Sequence, residues 1–221
     1  MEAATQPRVK ICCISSEAEA RLAIRYGASA LGLVSAMPSG PGVIDEELIE
    51  RIATATPPGI GSFLLTNLRE AEAIVAQQRR CRTNTVQLVD EMKARDYSVL
   101  REALPGIGLV QVIHVRDESS VREAEKAAPW VDAVLLDSGN PTLGVKELGG
   151  TGRRHDWNLS RRIRESLDKP VYLAGGLTPD NVREAVETVG PFGLDICSGV
   201  RSNGQLDEDK LARFFEALHG I

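Results

Sequence analysis

A chain of 221 residues with 43% apolar and 26% charged residues has an ordinary globular composition and is long enough for one large domain. A formal charge of −5, with no Lys/Arg cluster interleaved with aromatics, argues against nucleic acid as a partner. The amino terminus lacks the charged start and apolar core of a secretory signal, and no apolar run approaches membrane-spanning length, so a cytoplasmic location, no membrane contact and a small partner are expected.

Short β-branched runs alternate with helical patterns without a composition break, so residues 1–221 are expected to form a single domain. The first unit is a strand from Arg8 to Ile14 and a helix from about Ser16 to Tyr26. Ser15 and Ser16 are candidate caps, Glu19 stands in capping-box position and Gly27 is the stop. A strand over Ala30 to Val34 leads through a Gly/Pro-rich loop to a helix capped by Asp45 and reaching about Ala55. Strands over Ile60 to Leu65 and Thr85 to Val89 are followed by helices over Arg69 to Arg79 and around Tyr97 to Leu104. A fifth strand from Gly108 to Val115 precedes a helix from Ser119 to Ala128, and the sixth, Val131 to Leu136, ends at Asp137. The loop Ser138 to Asp156, whose glycines would permit it to act as a lid, leads to a helix over Leu159 to Leu167. Pro170 to Ala174 is the seventh strand, with Pro179 in the first turn of the next helix. Phe192 to Cys197 is the eighth strand, and Asp207 to Leu218 the closing helix.

Eight strand-then-helix units in this length predict an α/β fold, a single-domain (β/α)₈ barrel, with a doubly wound open sheet as the alternative. Closure is favoured because no GxGxxG follows the first strand. The glycine-rich segments come instead after strands six, seven and eight, where barrels commonly hold a phosphate. Gly175 and Gly176 precede a helix start, Ser198 and Gly199 can open a short extra helix, and Gly149-Gly-Thr-Gly152 adds Gly150 and Gly152 as further backbone donors. Glycines at tight turns are often only geometric, but three such segments after consecutive strands point to a bound phosphate group.

Cys12 and Asp137 both stand where a buried strand gives way to a loop, and they are read as an acid–base pair. Strand alternation turns Lys10 and Cys12 into the barrel and Ile11 and Cys13 toward the helices. A buried Lys10 needs a counter-charge, and Asp195, inward by the same parity, is the candidate. Each reading has a plainer rival: Cys12 as a small apolar filler, Asp137-Ser138 as a turn cap, Lys10 and Asp195 as structural residues. Cys13, Cys81 and Cys197 are read as packing thiols, with no disulfide framework and no metal-ligand spacing. His114 and Arg116 fall at the substrate edge or on a solvated loop. Arg153, Arg154 and His155 are assigned to an exposed charged surface.

Lys10-Ile-Cys12, Val86-Gln-Leu88, Leu136-Asp-Ser138, Leu148-Gly-Gly-Thr-Gly152 with Asp156-Trp157, Leu173-Ala-Gly-Gly-Leu177 with Asn181-Val182, and Asp195 to Val200 occur in the order found in one family. The series resembles phosphoribosylanthranilate isomerase over essentially the whole chain. The resemblance implies a cofactor-independent Amadori rearrangement of an aminoaldose phosphate, with Cys12 as general base and Asp137 as general acid. Lys10, Gln87 and Asp195 are expected to support them, a small phosphorylated sugar is the expected substrate, and a barrel of this type is expected as a monomer or a homodimer. The residue types suit that chemistry: a carboxyl can protonate the furanose ring oxygen to give a Schiff base, and a thiolate can take the C2 proton to give an enolamine.

Three family features are missing. The loop after strand two, which in the family carries Ser-Pro-Arg with the arginine on the anthranilate carboxylate, reads Pro38-Ser-Gly-Pro-Gly42 without a cation. The family's Gln-Leu-His-Gly is Gln87-Leu-Val-Asp90, and the glycine after the cysteine is Cys13. Three readings stay open: the isomerase itself, with another cation such as Arg116, Arg153 or Arg154 holding the carboxylate; a paralogue acting on a different phosphorylated sugar; and a non-catalytic phosphometabolite-binding protein.

Overall fold

The computed structural model describes residues 6–38, 40–139 and 154–220. Eight parallel strands close in sequence order into one barrel. They are β1 (Arg8–Ile11), β2 (Ala30–Val34), β3 (Gly61–Thr66), β4 (Thr85–Leu88), β5 (Gly108–His114), β6 (Ala133–Asp137), β7 (Val171–Leu173) and β8 (Gly193–Ile196). The connecting helices are α1 (Glu17–Arg25), α2 (Glu46–Ala55), α3 (Ala71–Cys81), α4 (Ala94–Ala103), α5 (Ser119–Ala127), α6 (Trp157–Ser166), α7 (Val182–Val189) and α8 (Glu208–Ala217). Closure is made by β1 on β8, where Lys10 lies opposite Asp195 and Ile11 opposite Ile196.

Period-two alternation divides the apolar residues into two layers. Ile11, Leu31, Leu33, Leu64, Val86, Leu109, Val134 and Leu194 point outward and pack with Ile49, Ile52, Ile74, Ile163 and Phe214 of the helices. Side chains of this kind contribute about 1.5–3 kcal/mol each when fully buried. Ala30, Val34, Phe63, Leu65, Val110, Val112, Ala133 and Leu135 fill the interior. That inner layer also carries buried charges and amides, which places polar chemistry under the mouth formed by the strand ends.

The helix signals in the sequence act as expected where a side chain supplies the cap. Ser16 accepts from the Glu19 amide, Asp45 from Leu48, and Asp156 from Asn158 and Leu159. Other boundaries differ. β1 ends at Ile11 rather than Ile14 because Cys13 takes a left-handed backbone (φ 62°), which breaks the alternation. Cys13 therefore packs into the interior cluster beside Cys12 instead of facing the helices. α4 begins at Ala94, before Tyr97. Pro179 lies outside α7, in a turn that Asn181 closes: its Oδ1 accepts from the Thr178 amide (2.8 Å) and its Nδ2 donates to the Gly176 carbonyl (2.9 Å).

A hairpin absent from the sequence reading follows the barrel: β9 (Arg201–Ser202) pairs with β10 (Gln205–Leu206) around Asn203-Gly204, both at positive φ. The Asn-Gly dipeptide is the legible signal for such a turn. The hairpin carries Arg201, 8% exposed, whose guanidinium pairs with Glu19 at 3.0 Å and donates to the carbonyls of Cys12 and Cys13. It thus fixes the backbone at the end of β1. Burial pushes the Glu19 carboxyl up, but the Arg201 hydrogen bond and the Leu206 and Ser15 amides outweigh it and hold Glu19 below its ordinary value. The stability it contributes is full above the unfolded-state pKa and is lost as pH falls through the lowered folded value. Arg201→Met leaves the half-buried Glu19 without its cation and is expected to cost about 1.5–3 kcal/mol in denaturant unfolding at neutral pH, the worth of the charge-assisted hydrogen bonds it removes.

Candidate active site

The interior layer ends, at the carboxyl side of the strands, in a group of polar residues drawn from β1, β4, β5, β6 and β8. Lys10 is fully buried and its Nζ meets Asp195 Oδ1 at 2.7 Å, the pairing that parity predicts. Burial alone would drive the ammonium toward neutrality. The Asp195 carboxylate, its direct hydrogen bond and the neighbouring Cys12 outweigh that and hold Lys10 above the ordinary lysine value. A fixed cation therefore lies beneath the mouth. Gln87 is buried on the same interior, with its Oε1 lacking a hydrogen-bond partner among the described residues.

Cys12 follows directly above Lys10. Both side chains converge on the bare Cα of Gly32 in β2, where a methyl group would lie 2.8 Å from Cys12 Sγ and 2.9 Å from Lys10 Nζ. The Cys12 thiol is held below the usual thiol value: hydrogen bonding by Cys13 contributes most, burial and Asp195 oppose it, and the Lys10 ammonium adds to the lowering. Gly32 was not singled out by the sequence reading, although a glycine inside a buried strand is the usual mark of close approach. Gly32→Ala is expected to keep the barrel but displace the thiol. It should lower kcat/KM roughly 100-fold, the penalty of an ångström-scale misplacement, with circular dichroism unchanged.

Asp137 ends β6 in register with His114 of β5, and both are buried. Burial pushes the Asp137 carboxyl up, against the Ser138 amide, which donates to its Oδ1 at 2.7 Å, and against His114. His114 Nε2 donates to the Val89 carbonyl at 3.0 Å, while Nδ1 has no partner among the described residues. His114 is thus an interior residue at the barrel mouth, not a solvated one. Its imidazole stands at the end of β4, beside the position where the family pattern has histidine and this chain has Val89.

The glycine turns after β7 and β8 come together. Gly175 and Gly176 both take left-handed backbones, φ 83° and 67°. Ser198–Val200 forms a short 3₁₀ helix, and Gly199 packs so closely on the Leu177 carbonyl that no Cβ fits there. A Cβ on Gly175 would lie 3.0 Å from His155 Nδ1 and 3.1 Å from Ser138 Oγ, so the end of β6, the start of α6 and the β7 turn meet at one point. His155 is a correction to the exposed-surface expectation. It is half-buried, bonded through Nε2 to Ser160 Oγ (2.7 Å), and burial pulls its pKa down to about 4, leaving a neutral imidazole whose Nδ1 is unpartnered among the described residues. Arg154 is exposed, paired with Glu184 and stacked on Trp157. Gly150, Gly152, Arg153 and the body of the expected lid, 140–153, lie outside the described residues. Among the described residues no group of three or more His, Cys, Asp or Glu side chains is arranged to hold a metal ion.

A cavity of about 750 Å³ is lined by the end of β5, the loop after β4 and residues of α4 and α5, with Arg69 of the loop after β3 at its edge. Arg69, Asp90, His114 and Arg116 line it together with Tyr97 and Trp130. Arg116 is paired with Glu123 at 2.9 Å, whereas Arg69 donates only to the Glu91 carbonyl (3.4 Å) and has no ion pair among the described residues. The loop after β2 presents Met37 to the interior and no cation. Together, a carboxyl whose pKa burial raises, a thiol whose pKa its neighbours lower, glycine turns on one side and, on the other, a cavity lined by Arg69, Arg116 and Lys126 as well as Asp90, Glu91 and Glu123 suit proton transfer on an elongated substrate.

The sequence model described as "PRAI: N-(5'phosphoribosyl)anthranilate (PRA) isomerase" matches residues 9–217. N-(5'-phosphoribosyl)anthranilate isomerase 2 of Methanosarcina mazei is 36% identical over 209 residues, covering 94% of this chain and 92% of that protein. Among solved structures, a phosphoribosyl anthranilate isomerase in complex with reduced 1-(o-carboxyphenylamino)-1-deoxyribulose 5-phosphate is 27% identical, with TM-score 0.78 over 97% of this chain and 100% of the other. A structure of monomers generated from the dimeric enzyme of Thermotoga maritima is 26% identical, with TM-score 0.77 over the same shares.

Proposed function

The chain belongs to the phosphoribosylanthranilate isomerase family and catalyses the Amadori rearrangement of N-(5-phosphoribosyl)anthranilate in tryptophan biosynthesis, and from that premise we propose that Cys12 is its general base and Asp137 its general acid. The observation that carries this reading is the meeting of Cys12 Sγ and Lys10 Nζ over Gly32, inside the barrel mouth that Asp137 also enters. Asp137, whose acid form burial favours, delivers its proton to the ring oxygen, and the C1–O bond breaks to give the Schiff base. The Cys12 thiolate then removes the C2 proton, and the enolamine that results relaxes to the ketone. Lys10 and Asp195 hold the thiolate's surroundings, and Gln87 lines the interior beneath the sugar.

The phosphate is held by the backbone amides of Gly175, Gly176, Ser198 and Gly199, with Gly150 and Gly152 from the loop after β6. His155 Nδ1 stands ready beside Gly175. In an eight-stranded barrel β7 and β8 lie opposite β3 and β4, so the carboxyphenyl ring of a substrate anchored at its phosphate points toward the cavity that Arg69 rims. Arg69 takes the role of the arginine missing from the loop after β2. Arg69→Ala removes charge-assisted hydrogen bonds worth about 1.5–3 kcal/mol and is expected to raise KM roughly tenfold or more, with a smaller change in kcat. Arg154→Ala, already committed to Glu184 and Trp157, serves as the unaffected control. Equal effects of the two variants would remove Arg69 from the site.

No helix among the described residues is long and apolar enough to cross a membrane. The reading is completed by a cytoplasmic single-domain enzyme, monomeric or homodimeric, with the phosphorylated sugar as its partner; the Thermotoga maritima relative is described as dimeric.

A further inference from the structure

The mechanism above uses one of three thiols at the mouth. Cys13 and Cys197 are left over, and they are not separate packing residues. They stand just beyond Ile11 and Ile196, which are register partners on adjacent strands, and their sulfurs lie 2.7 Å apart. Cys13 is buried in the same interior cluster as Cys12, while Cys197 is half-buried against that cluster. Cys13 also occupies a left-handed backbone (φ 62°), which glycine adopts without strain and which the family pattern fills with glycine. A strained residue kept at a site invites a functional reading. The strain here sets a second thiol against a neighbouring one and against the base.

We propose that Cys13 and Cys197 form an oxidation-sensitive dithiol that closes to a disulfide under hydroperoxide and thereby switches off the base at Cys12. The sulfur of Cys197, the more exposed of the two, attacks the O–O bond, giving a sulfenic acid and releasing the alcohol or water. The Cys13 sulfur displaces hydroxide from that sulfenic acid, and the Cys13 proton leaves with it as water. Two thiols and one hydroperoxide become a disulfide, an alcohol (or water) and a water, with two electrons passed from sulfur to oxygen. Formation of the bond consumes the Cys13 thiol that packs beside Cys12 in the interior cluster and pulls on the backbone carbonyls that Arg201 holds. The loss of activity rests on Cys12 being the base, whereas formation of the disulfide does not.

The test exposes the native, full-length protein to hydrogen peroxide. Non-reducing peptide mass mapping is run beside the turnover assay, before and after dithiothreitol. The expected result is a Cys13–Cys197-linked peptide that appears as turnover falls roughly tenfold or more, both reversed by the reductant. Cys197→Ser is expected to keep its starting activity and to show neither the linked peptide nor a reversible loss. Cys13→Gly, relaxed at that backbone, likewise forms no link. The proposal is overturned if all thiols of the wild type stay free at peroxide doses that oxidise glutathione, or if Cys197→Ser loses and regains activity as the wild type does. A linked peptide without loss of turnover would overturn the switch, while leaving Cys12 as base to be decided by its own variant.

Discussion

Asp137→Asn is expected to lower kcat/KM for phosphoribosylanthranilate by about 10²–10⁴-fold, the range for loss of a positioned general acid, while the protein stays as stable as the wild type or becomes more so. The two halves of this expectation have one origin. Burial raises the pKa of Asp137, so the folded state disfavours its ionised form. A carboxyl whose folded pKa lies above its unfolded value lowers stability as pH rises through that interval, and asparagine abolishes the cost. Asparagine also preserves an oxygen for the Ser138 amide, which now donates to Oδ1 at 2.7 Å. Only the transferable proton is lost. A variant that was both inactive and unfolded would point to a structural role; one that was folded and fully active would remove Asp137 from the chemistry.

Cys12→Ala is the second large effect, again about 10²–10⁴-fold in turnover with the fold retained. The wild-type pH profile carries the same information without mutation. With the roles proposed for them, turnover needs Cys12 ionised and Asp137 protonated, so it is expected to fall at low pH as the thiolate is protonated and at high pH as the carboxyl loses its proton. The site lowers the first pKa and raises the second, and each shift enlarges the fraction of molecules with both groups in the working state. A bell-shaped profile is therefore expected for kcat/KM. In Cys12→Ala the residual rate should lose the low-pH fall that belongs to the thiolate.

The barrel was legible in the sequence because closure needs only alternation, length and eight recurring units, and each of these is written in local residue patterns. Lys10 with Asp195 was legible for the same reason: parity puts both side chains inside, and an unpaired buried ammonium is too costly to stand. What the sequence hid depends on backbone conformation and long-range approach. Cys13 broke the parity argument because a single left-handed residue re-aims everything after it. Gly32 carries no side chain to suggest a role, and its importance lies in Cys12 and Lys10 occupying its vacant side. His155 looked like a loop charge until burial and the Ser160 hydroxyl fixed it beside Gly175. Arg201 and Glu19 meet across 182 positions of the chain, a separation at which local pattern says nothing.

The measurement that bears most directly on Cys12 and Asp137 as the working pair is turnover of phosphoribosylanthranilate generated in situ. It follows loss of anthranilate-type fluorescence for the wild type and for the double variant Cys12→Ala/Asp137→Asn at equal, verified folding. Conversion by the wild type, with none above background in the folded double variant, is the result expected. Conversion by the double variant near the wild-type rate would contradict the assignment and place the proton transfers elsewhere in the mouth.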